Sequence, residues 1–346
     1  MIPATPQARQ TSSWQRELAS AITDPFELIA LLGLPRTLAE QALVAGTGFA
    51  LRVPRGFVAR MRHGDPTDPL LRQVLPVVEE NLAVPGYVAD PLHEATARHA
   101  PGLLKKYRGR ALLVTTGACA VHCRYCFRRE FPYAEQVGDL GRWRESLQYI
   151  AADPTITEVI LSGGDPLSLS DARLAALGAE LARIPHVATL RIHTRQPIVL
   201  PERVDAGLLA WLRSLPWRRV IVVHANHANE IDAPVAEALQ ALRATGATLL
   251  NQSVLLAGVN DDAAALVALS RALHAAGTLP YYLHMPDAVA GTAHFDVTER
   301  TAAALVDRMA RELPGYLVPR LVRENPGEEA KTVLAAGIRT PADPFM

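Results

Sequence analysis

The sequence predicts an α/β fold: a partial, TIM-like (β/α)6 barrel preceded by a helical amino-terminal region. From residue 110 onward, short β-branched runs alternate with stretches that have the apolar spacing of amphipathic helices. Strands that alternate with helices form parallel sheets through right-handed crossovers, and six such units favour an incomplete barrel with its site at the carboxyl ends of the strands. Because alternation does not distinguish a closed sheet from an open one, a doubly wound open sheet is the alternative.

The elements are predicted in three regions. Residues 1–105 contain helical stretches near 14–22 and 35–45 between turns rich in proline and glycine, without strand alternation. Residues 106–316 form the barrel, with strands predicted over 111–115, 158–162, 189–193, 220–224, 249–253 and 281–284. Helices are predicted over 171–183, 205–214, 234–243, 262–275 and 298–312. A seventh strand-like run over 317–323 opens a carboxy-terminal segment, 317–346.

Charge and hydropathy exclude several classes of function. The 346 residues include 35 basic and 35 acidic side chains, and this balance argues against nucleic acid as an electrostatic partner. No apolar run is long enough to span a bilayer, and the amino terminus lacks a basic region followed by an apolar stretch. We therefore expect a cytoplasmic protein that binds neither nucleic acid nor membrane.

The three cysteines lie together in the loop after the first predicted barrel strand, at Cys119, Cys123 and Cys126. Three thiolates can hold three irons of a [4Fe–4S] cube and leave the fourth iron open to a ligand. This spacing favours a catalytic cluster, and the absence of other cysteines for disulfides agrees with a reducing compartment.

Two other interpretations of the cysteines remain. Buried apolar cysteines would not cluster beside Arg124, Arg128 and Arg129. A zinc site would need His122 as its fourth ligand, and in that case the chain would be a non-catalytic zinc-containing binding protein.

Lysine is scarce in this chain and occurs only at positions 105, 106 and 331. Lysine can form a Schiff base with an aldehyde cofactor, whereas arginine stays protonated at working pH. If pyridoxal phosphate (PLP) is bound covalently, Lys105, Lys106 and Lys331 are therefore the candidates.

The motif Cys119-x3-Cys123-x2-Cys126, with Tyr125 before the last cysteine, resembles that of radical S-adenosylmethionine (SAM) enzymes. The resemblance implies that SAM chelates the open iron. It also implies that one electron from a donor cleaves SAM to a 5′-deoxyadenosyl radical.

Motifs at later strand ends extend this resemblance to SAM binding. Gly163, Gly164 and Asp165 follow the second strand, where radical SAM enzymes hold the methionine amine, although a strand-to-helix turn uses the same residues. His224 and Gln252, on the fourth and fifth strands, lie in segments that resemble the PLP-dependent lysine 2,3-aminomutase family, in which the corresponding residues contact SAM. This second resemblance covers most of residues 65–335.

The same family implies a set of residues for PLP and substrate. Lys331 falls on the Schiff-base lysine, while Arg110 and Lys106 fall where the family grips the cofactor phosphate, with Lys106 replacing an arginine. Arg128 matches the group that holds the substrate carboxylate. The ε-ammonium of L-lysine would be held by two carboxylates, Asp287 and Glu324, which would repel a glutamate side chain.

Departures from the longer family members point to a shorter branch. Glu324 replaces an aspartate and His284 replaces a tyrosine, and no cysteine-containing zinc extension follows. These features resemble the aminomutases that convert (S)-α-lysine to (R)-β-lysine for attachment to elongation factor P. That factor and its ligase are then candidate partners. A free-standing aminomutase for lysine or another amino acid, in catabolism or osmolyte synthesis, is the alternative.

Overall fold

The computed structural model describes residues 13–133 and 140–334. Its amino-terminal part contains helices α1 (Ser13–Ala19), α2 (Pro25–Leu31), α3 (Arg36–Ala45) and α4 (Arg55–Val58). They share an apolar core, centred on Leu28 and Phe57, with Ala120 and Val121 of the cysteine loop. The amino-terminal region therefore supports that loop from one side.

The strands form one sheet in sequential order from β1 to β10. Their bounds are β1 Arg98–Ala100, β2 Leu103–Leu104, β3 Arg110–Thr116, β4 Glu158–Gly163, β5 Thr189–Thr194, β6 Arg218–Val223, β7 Thr248–Val254, β8 Leu279–His284, β9 Arg320–Arg323 and β10 Thr332–Val333. Strands β3 to β9 run parallel, whereas β1, β2 and β10 pair antiparallel to their neighbours. The six predicted barrel strands and the seventh strand correspond to β3 to β9.

Helices lie between the parallel strands, as predicted. They are α5 Leu140–Ala152, α6 Asp171–Leu181, α7 Gln196–Val199, α8 Ala206–Ser214, α9 Ala233–Arg243, α10 Ala263–Ala275 and α11 Glu299–Glu312. Most begin after a side chain that accepts a hydrogen bond from a free backbone N–H, such as Asp232 before α9 and Thr298 before α11. In the described part of the chain, no helix is long and apolar enough to cross a membrane.

The strand order distinguishes the two predicted architectures. A doubly wound sheet reverses its order at a switch point, whereas this order is sequential throughout. The sheet also curves, because Lys106 Nζ before β3 reaches Glu324 Oε1 after β9 at 3.0 Å. The partial barrel is therefore confirmed.

Strands β1 and β2 lie within the segment that was predicted to be helical, and this part of the prediction was wrong. Both are too short for alternation to be read from the sequence. Strand β2 is ordered by pairing with β3, where Leu103 lies opposite Leu113, and β1 is ordered by pairing with β2. Between α4 and β1 the chain runs mainly through turns and short 3₁₀ segments. The division into 1–105, 106–316 and 317–346 stays a prediction, and residues 1–12 and 335–346 lie outside the described residues.

The strands divide their side chains between the core and the barrel interior. On β5, Leu190 and Ile192 belong to the apolar core against the helices, whereas Arg191 and His193 alternate with them. Because successive side chains point to opposite faces, the interior of the barrel receives the polar residues.

Candidate active site

The cysteine loop follows β3 and is held by main-chain bonds to the amino-terminal region. His122 N donates to Arg52 O at 2.9 Å, and Arg124 N donates to Gln73 O at 2.9 Å. A tight turn joins two of the cysteines, because Cys126 N donates to Cys123 O at 3.0 Å. All three cysteines are partly buried. The loop thus presents three adjacent thiols at the carboxyl end of the first barrel strand.

Burial makes two of these thiols, those of Cys119 and Cys126, hard to ionise without a metal, because it raises the pKa of each. It raises the pKa of Cys126 to about 11, and the neighbouring Cys123 adds to the rise. Burial also raises the pKa of Cys119 well above its usual value, with a further contribution from Cys126. Because metal ligation requires the thiolate, such a site favours a strongly compensating cation such as the irons of a cluster.

The ring of His122 does not reach out from this loop. Its Nδ1 lies 2.8 Å from Ala50 O, and the ring stacks on Phe49 with a centroid distance of 5.0 Å. Within residues 13–133 and 140–334, no three His, Cys, Asp or Glu side chains are grouped as ligands of one metal ion. A cubane binds each thiolate through a different iron, so its cysteines need not converge on one point.

Gly163, the last residue of β4, and Gly164, which follows it, allow the backbone at the end of this strand to touch the cysteine loop. Gly163 has φ 123°, and a Cβ there would lie 2.6 Å from Thr116 O. A Cβ on Gly164 would lie 2.5 Å from Ala118 O. Any larger residue would therefore push the cysteine loop away from β4.

The Asp165 carboxylate is fully used in hydrogen bonds to residues at the ends of β4 and β5. Its oxygens accept hydrogen bonds from Leu167 N, Thr194 Oγ1, Arg195 N and Gln196 N at 2.7–3.1 Å. Asp165 therefore joins the ends of β4 and β5. If this segment contacts SAM, the contact would be made by its main-chain atoms.

His224 and Gln252 lie on the next two strand ends. Burial, together with the charges of Arg195 and Lys331, lowers the pKa of His224 to about 4, so its ring is neutral near pH 7. Gln252 is on the opposite face of β7 from Asn251, whose side chain bonds to the backbone of Ala225. Gln252 thus points into the barrel interior, as its predicted role requires.

A row of alternating charges links the predicted PLP and substrate residues, and we call it the charge row. Lys331 Nζ donates to Glu324, which also accepts from Lys106 Nζ at 3.0 Å. Lys106 Nζ lies 3.7 Å from Glu94 Oε1. Glu94 in turn accepts two bonds of 2.7 Å from Arg128. The row, in order, is Lys331, Glu324, Lys106, Glu94 and Arg128.

The two carboxylates predicted to hold the substrate ammonium differ sharply. Burial opposes ionisation of Glu324, but Lys331 and Lys106 outweigh it and lower the pKa of Glu324 to about 2. Burial, followed by repulsion from Glu324, raises the pKa of Asp287 to about 7. A further cation entering beside Asp287 would therefore be stabilised by ionising it.

Arg110 has the free donor that a phosphate site needs. It begins β3, and its guanidinium lies over the Tyr107 ring at 4.8 Å. Its buried Nε has no partner among the described residues. Lys106, by contrast, is placed between two carboxylates. The free donor of Arg110 thus fits the anionic phosphate of the cofactor, and both phosphate contacts stay predictions.

Two residues of the site were missed by sequence reasoning. Glu94 is 5% exposed and occupies one edge of the Arg128 guanidinium, whose Nη1 donates to Ser162 Oγ at 3.0 Å. Arg195 is 6% exposed and contacts Cys123. Glu94 follows the motif Asp90-Pro91-Leu92, but nothing in the sequence indicates either partner.

A partial barrel with three cysteines after its first strand is the architecture of a radical SAM enzyme, and a model of the Radical SAM superfamily matches residues 113–215. L-lysine 2,3-aminomutase of Escherichia coli (strain K12) is 48% identical over 332 residues, which cover 94% of this chain and 95% of the relative. The protein of the same name from Haemophilus influenzae is 46% identical and covers 97% and 99%. That from Clostridium subterminale is 33% identical and covers 93% and 77%.

The chain therefore belongs to the L-lysine 2,3-aminomutase family of radical SAM enzymes. It is an isomerase of the aminomutase type, and its cofactors are a [4Fe–4S] cluster, SAM and PLP. The family and cofactors expected from the sequence are confirmed. The zinc-containing, non-catalytic alternative was wrong. The roles of the individual residues stay predictions.

Proposed function

We propose that this chain is an L-lysine 2,3-aminomutase that moves the α-amino group of L-lysine to C3. The observation that carries the proposal is the state of Glu324, which binds two lysine ammonium groups, those of Lys331 and Lys106. The ε-ammonium of a substrate lysine is the same chemical group. Glu324 therefore binds the same kind of group as the ε-ammonium of the substrate.

The opposite end of the substrate has a complementary partner in Arg128. Glu94 accepts from Nε and Nη2 of Arg128, and Nη1 donates to Ser162 Oγ; the edge of the guanidinium formed by Nη1 and Nη2 is the one that we propose for the substrate carboxylate. A guanidinium edge suits a carboxylate. Lysine then meets opposite charge at both ends, whereas glutamate would bring an anion to Asp287 and Glu324 at a penalty.

The cofactors supply the radical that takes hydrogen from C3 and the ring system that carries the migrating nitrogen. The chain's own residues bind, orient and exclude water. Lys331 is the residue proposed to bind PLP covalently. Because that bond consumes its ammonium, Glu324, which contacts Lys331 Nζ here, would become available to the ε-ammonium of the substrate. His224, which is partly buried and neutral, and Gln252, which is buried, are the residues proposed to contact SAM.

Borohydride reduction of the holoenzyme should attach PLP to a single peptide, the one that carries Lys331. The prediction follows from the match of Lys331 to the family's Schiff-base lysine, whereas Lys105 is bound to Asp153 and Lys106 lies between Glu324 and Glu94. Peptide mass spectrometry checks it, with Lys331→Arg as the unlabelled control. Label on Lys105 or Lys106 would show that the cofactor is misplaced.

The catalytic efficiency on lysine should fall as the pH drops below about 7. Asp287, whose pKa is about 7, is ionised above that pH and attracts the ε-ammonium, whereas below it the neutral acid does not. Because kcat/KM reports groups of the free enzyme, it should fall by up to about tenfold per pH unit. Asp287→Asn should flatten the profile. An unchanged profile in that variant would assign the titration to another group.

We further propose that the product is (R)-β-lysine for attachment to elongation factor P in the cytoplasm, with the factor or its ligase as partner. Glu324 and His284 support this branch. Chiral analysis of the product, followed by incubation with ligase and elongation factor P, tests it by the mass of the modified factor. If the product is the (S) enantiomer, or if the ligase rejects it, the free-standing aminomutase is favoured.

A further inference from the structure

Arg195 places a guanidinium directly on one of the cysteines. It follows the last residue of β5, and its Nη1 donates to Cys123 Sγ at 2.7 Å. Its Nη2 donates to Gln73 Oε1 at 2.7 Å and to Glu230 Oε2 at 3.0 Å. The side chain therefore spans from the sulfur to two acceptors behind it.

Those acceptors are themselves fixed. Gln73 and Glu230 are both 0% exposed. Glu230 Oε1 accepts from the main-chain N–H groups of Asn226 and His227 at 2.8 and 3.0 Å. The guanidinium therefore has little freedom to turn away from Cys123, since a move would leave Glu230 buried and unpaired.

The surroundings of the contact exclude water. The Tyr125 ring lies 5.4 Å from the Arg195 guanidinium carbon and the Phe57 ring lies 5.6 Å from it. Charge-assisted hydrogen bonds are stronger where the local dielectric is low. The N–H group of Arg195 therefore acts on the sulfur at close range with little screening.

We propose that Arg195 is a positioning residue that raises the reduction potential of the [4Fe–4S] cluster through its hydrogen bond to Cys123. The inference rests on Cys123 being a cluster ligand. Hydrogen bonds to the sulfurs are among the factors that set cluster potentials. Reduction adds negative charge to the cluster and its thiolates, so a cationic donor stabilises the reduced form more than the oxidised one.

The test is a redox titration of the anaerobic holoenzyme without SAM, followed by the electron paramagnetic resonance signal of the reduced cluster. In Arg195→Gln the ratio of reduced to oxidised cluster at a given poise should fall about tenfold, which is about 59 mV for one electron. Arg195→Lys keeps the charge and should recover most of the shift. Iron content should equal that of the wild type in both.

A second variant separates the loss of the hydrogen bond to Cys123 from the effect of the Glu230 charge that Arg195→Gln leaves unpaired. Arg195→Gln combined with Glu230→Gln removes both charges and should still lower the potential, because the donor nearest the sulfur is lost. Arg219→Gln is the matched control. The Arg219 guanidinium binds Leu215 O and Thr245 O at the amino ends of the strands and should not affect the cluster.

A wild-type reduction potential in both Arg195→Gln and the double variant with Glu230→Gln would overturn the proposal. A shift in Arg219→Gln as large as that in Arg195→Gln would also overturn it. Weaker SAM binding by Arg195→Gln at an unchanged potential would also overturn it and would assign Arg195 to SAM. Failure of the cluster assignment is distinguishable, because it would appear as normal iron content in Cys123→Ala.

Discussion

Replacement of Cys123 by alanine should abolish reductive cleavage of SAM and with it all aminomutase activity. A cluster held by two of its three thiolates loses an anchored iron, and no other cysteine exists in the chain to replace the ligand. Formation of 5′-deoxyadenosine under anaerobic reduction and the iron content per chain measure the effect.

The cysteine loop offers a control for the fold. Val121 is buried against the amino-terminal helices and has no ligating atom, so Val121→Ala should keep iron and SAM cleavage. Circular dichroism should be similar for the two variants, because the strands that carry the loop do not depend on the thiol. Normal 5′-deoxyadenosine formation by Cys123→Ala would refute the proposed role of this cysteine.

Removal of the Asp287 carboxylate should lower kcat/KM on lysine by roughly two to three orders of magnitude. The loss of one partner of a buried ion pair costs about 3–5 kcal/mol, and the substrate ammonium would keep only Glu324, which Lys106 also binds. Asp287→Ala should leave SAM binding nearly unchanged, because Asp287 follows β8, whereas the cysteine loop that is expected to hold the cluster and SAM follows β3. Steady-state kinetics and a SAM-binding titration measure the two effects.

Two variants make the Asp287 result specific. Asp296→Ala removes an exposed carboxylate from the same connection between β8 and α11 and should be neutral. Glu324→Asp keeps the charge and should be tolerated far better than Asp287→Ala. Near wild-type turnover of lysine by Asp287→Ala would refute the proposed role of Asp287. A preference of the wild type for glutamate would exclude lysine as the substrate, while leaving the cofactors in place.

Local patterns in the sequence were enough to predict alternating parallel strands and helices, whereas the strand order in the structure decided between the barrel and the open sheet. The alternation on β5, where Leu190 and Ile192 face the helices and Arg191 and His193 face the interior, is a property of consecutive residues. The three cysteines lie within eight residues of one loop, so their spacing in the sequence already predicts that they bind the same cluster. The regular strand-and-helix repeat likewise predicts the carboxyl ends of the strands as the site.

Contacts between distant residues could not be predicted in the same way. Glu94 pairs with Arg128 across 34 residues, and Lys106 reaches Glu324 across 218. No periodicity links such positions, because their meeting depends on the curvature of the sheet. Strands β1 and β2 were missed for a related reason. Strands of two or three residues are stabilised by pairing with a neighbouring strand, and they are too short to show an alternating pattern.

The sequence by itself determined the kind of chemistry, because the cysteine spacing and the strand repeat are local patterns and the scarcity of lysine is visible in the composition. The tertiary structure alone decided the electrostatic state of the site. Burial beside Glu324 raises the pKa of Asp287 to about 7, while Lys331 and Lys106 lower that of Glu324 to about 2. Desolvation and charge pairing depend on three-dimensional distance, so two carboxylates that look equivalent in the sequence acquire different properties only when the barrel curves to bring them together.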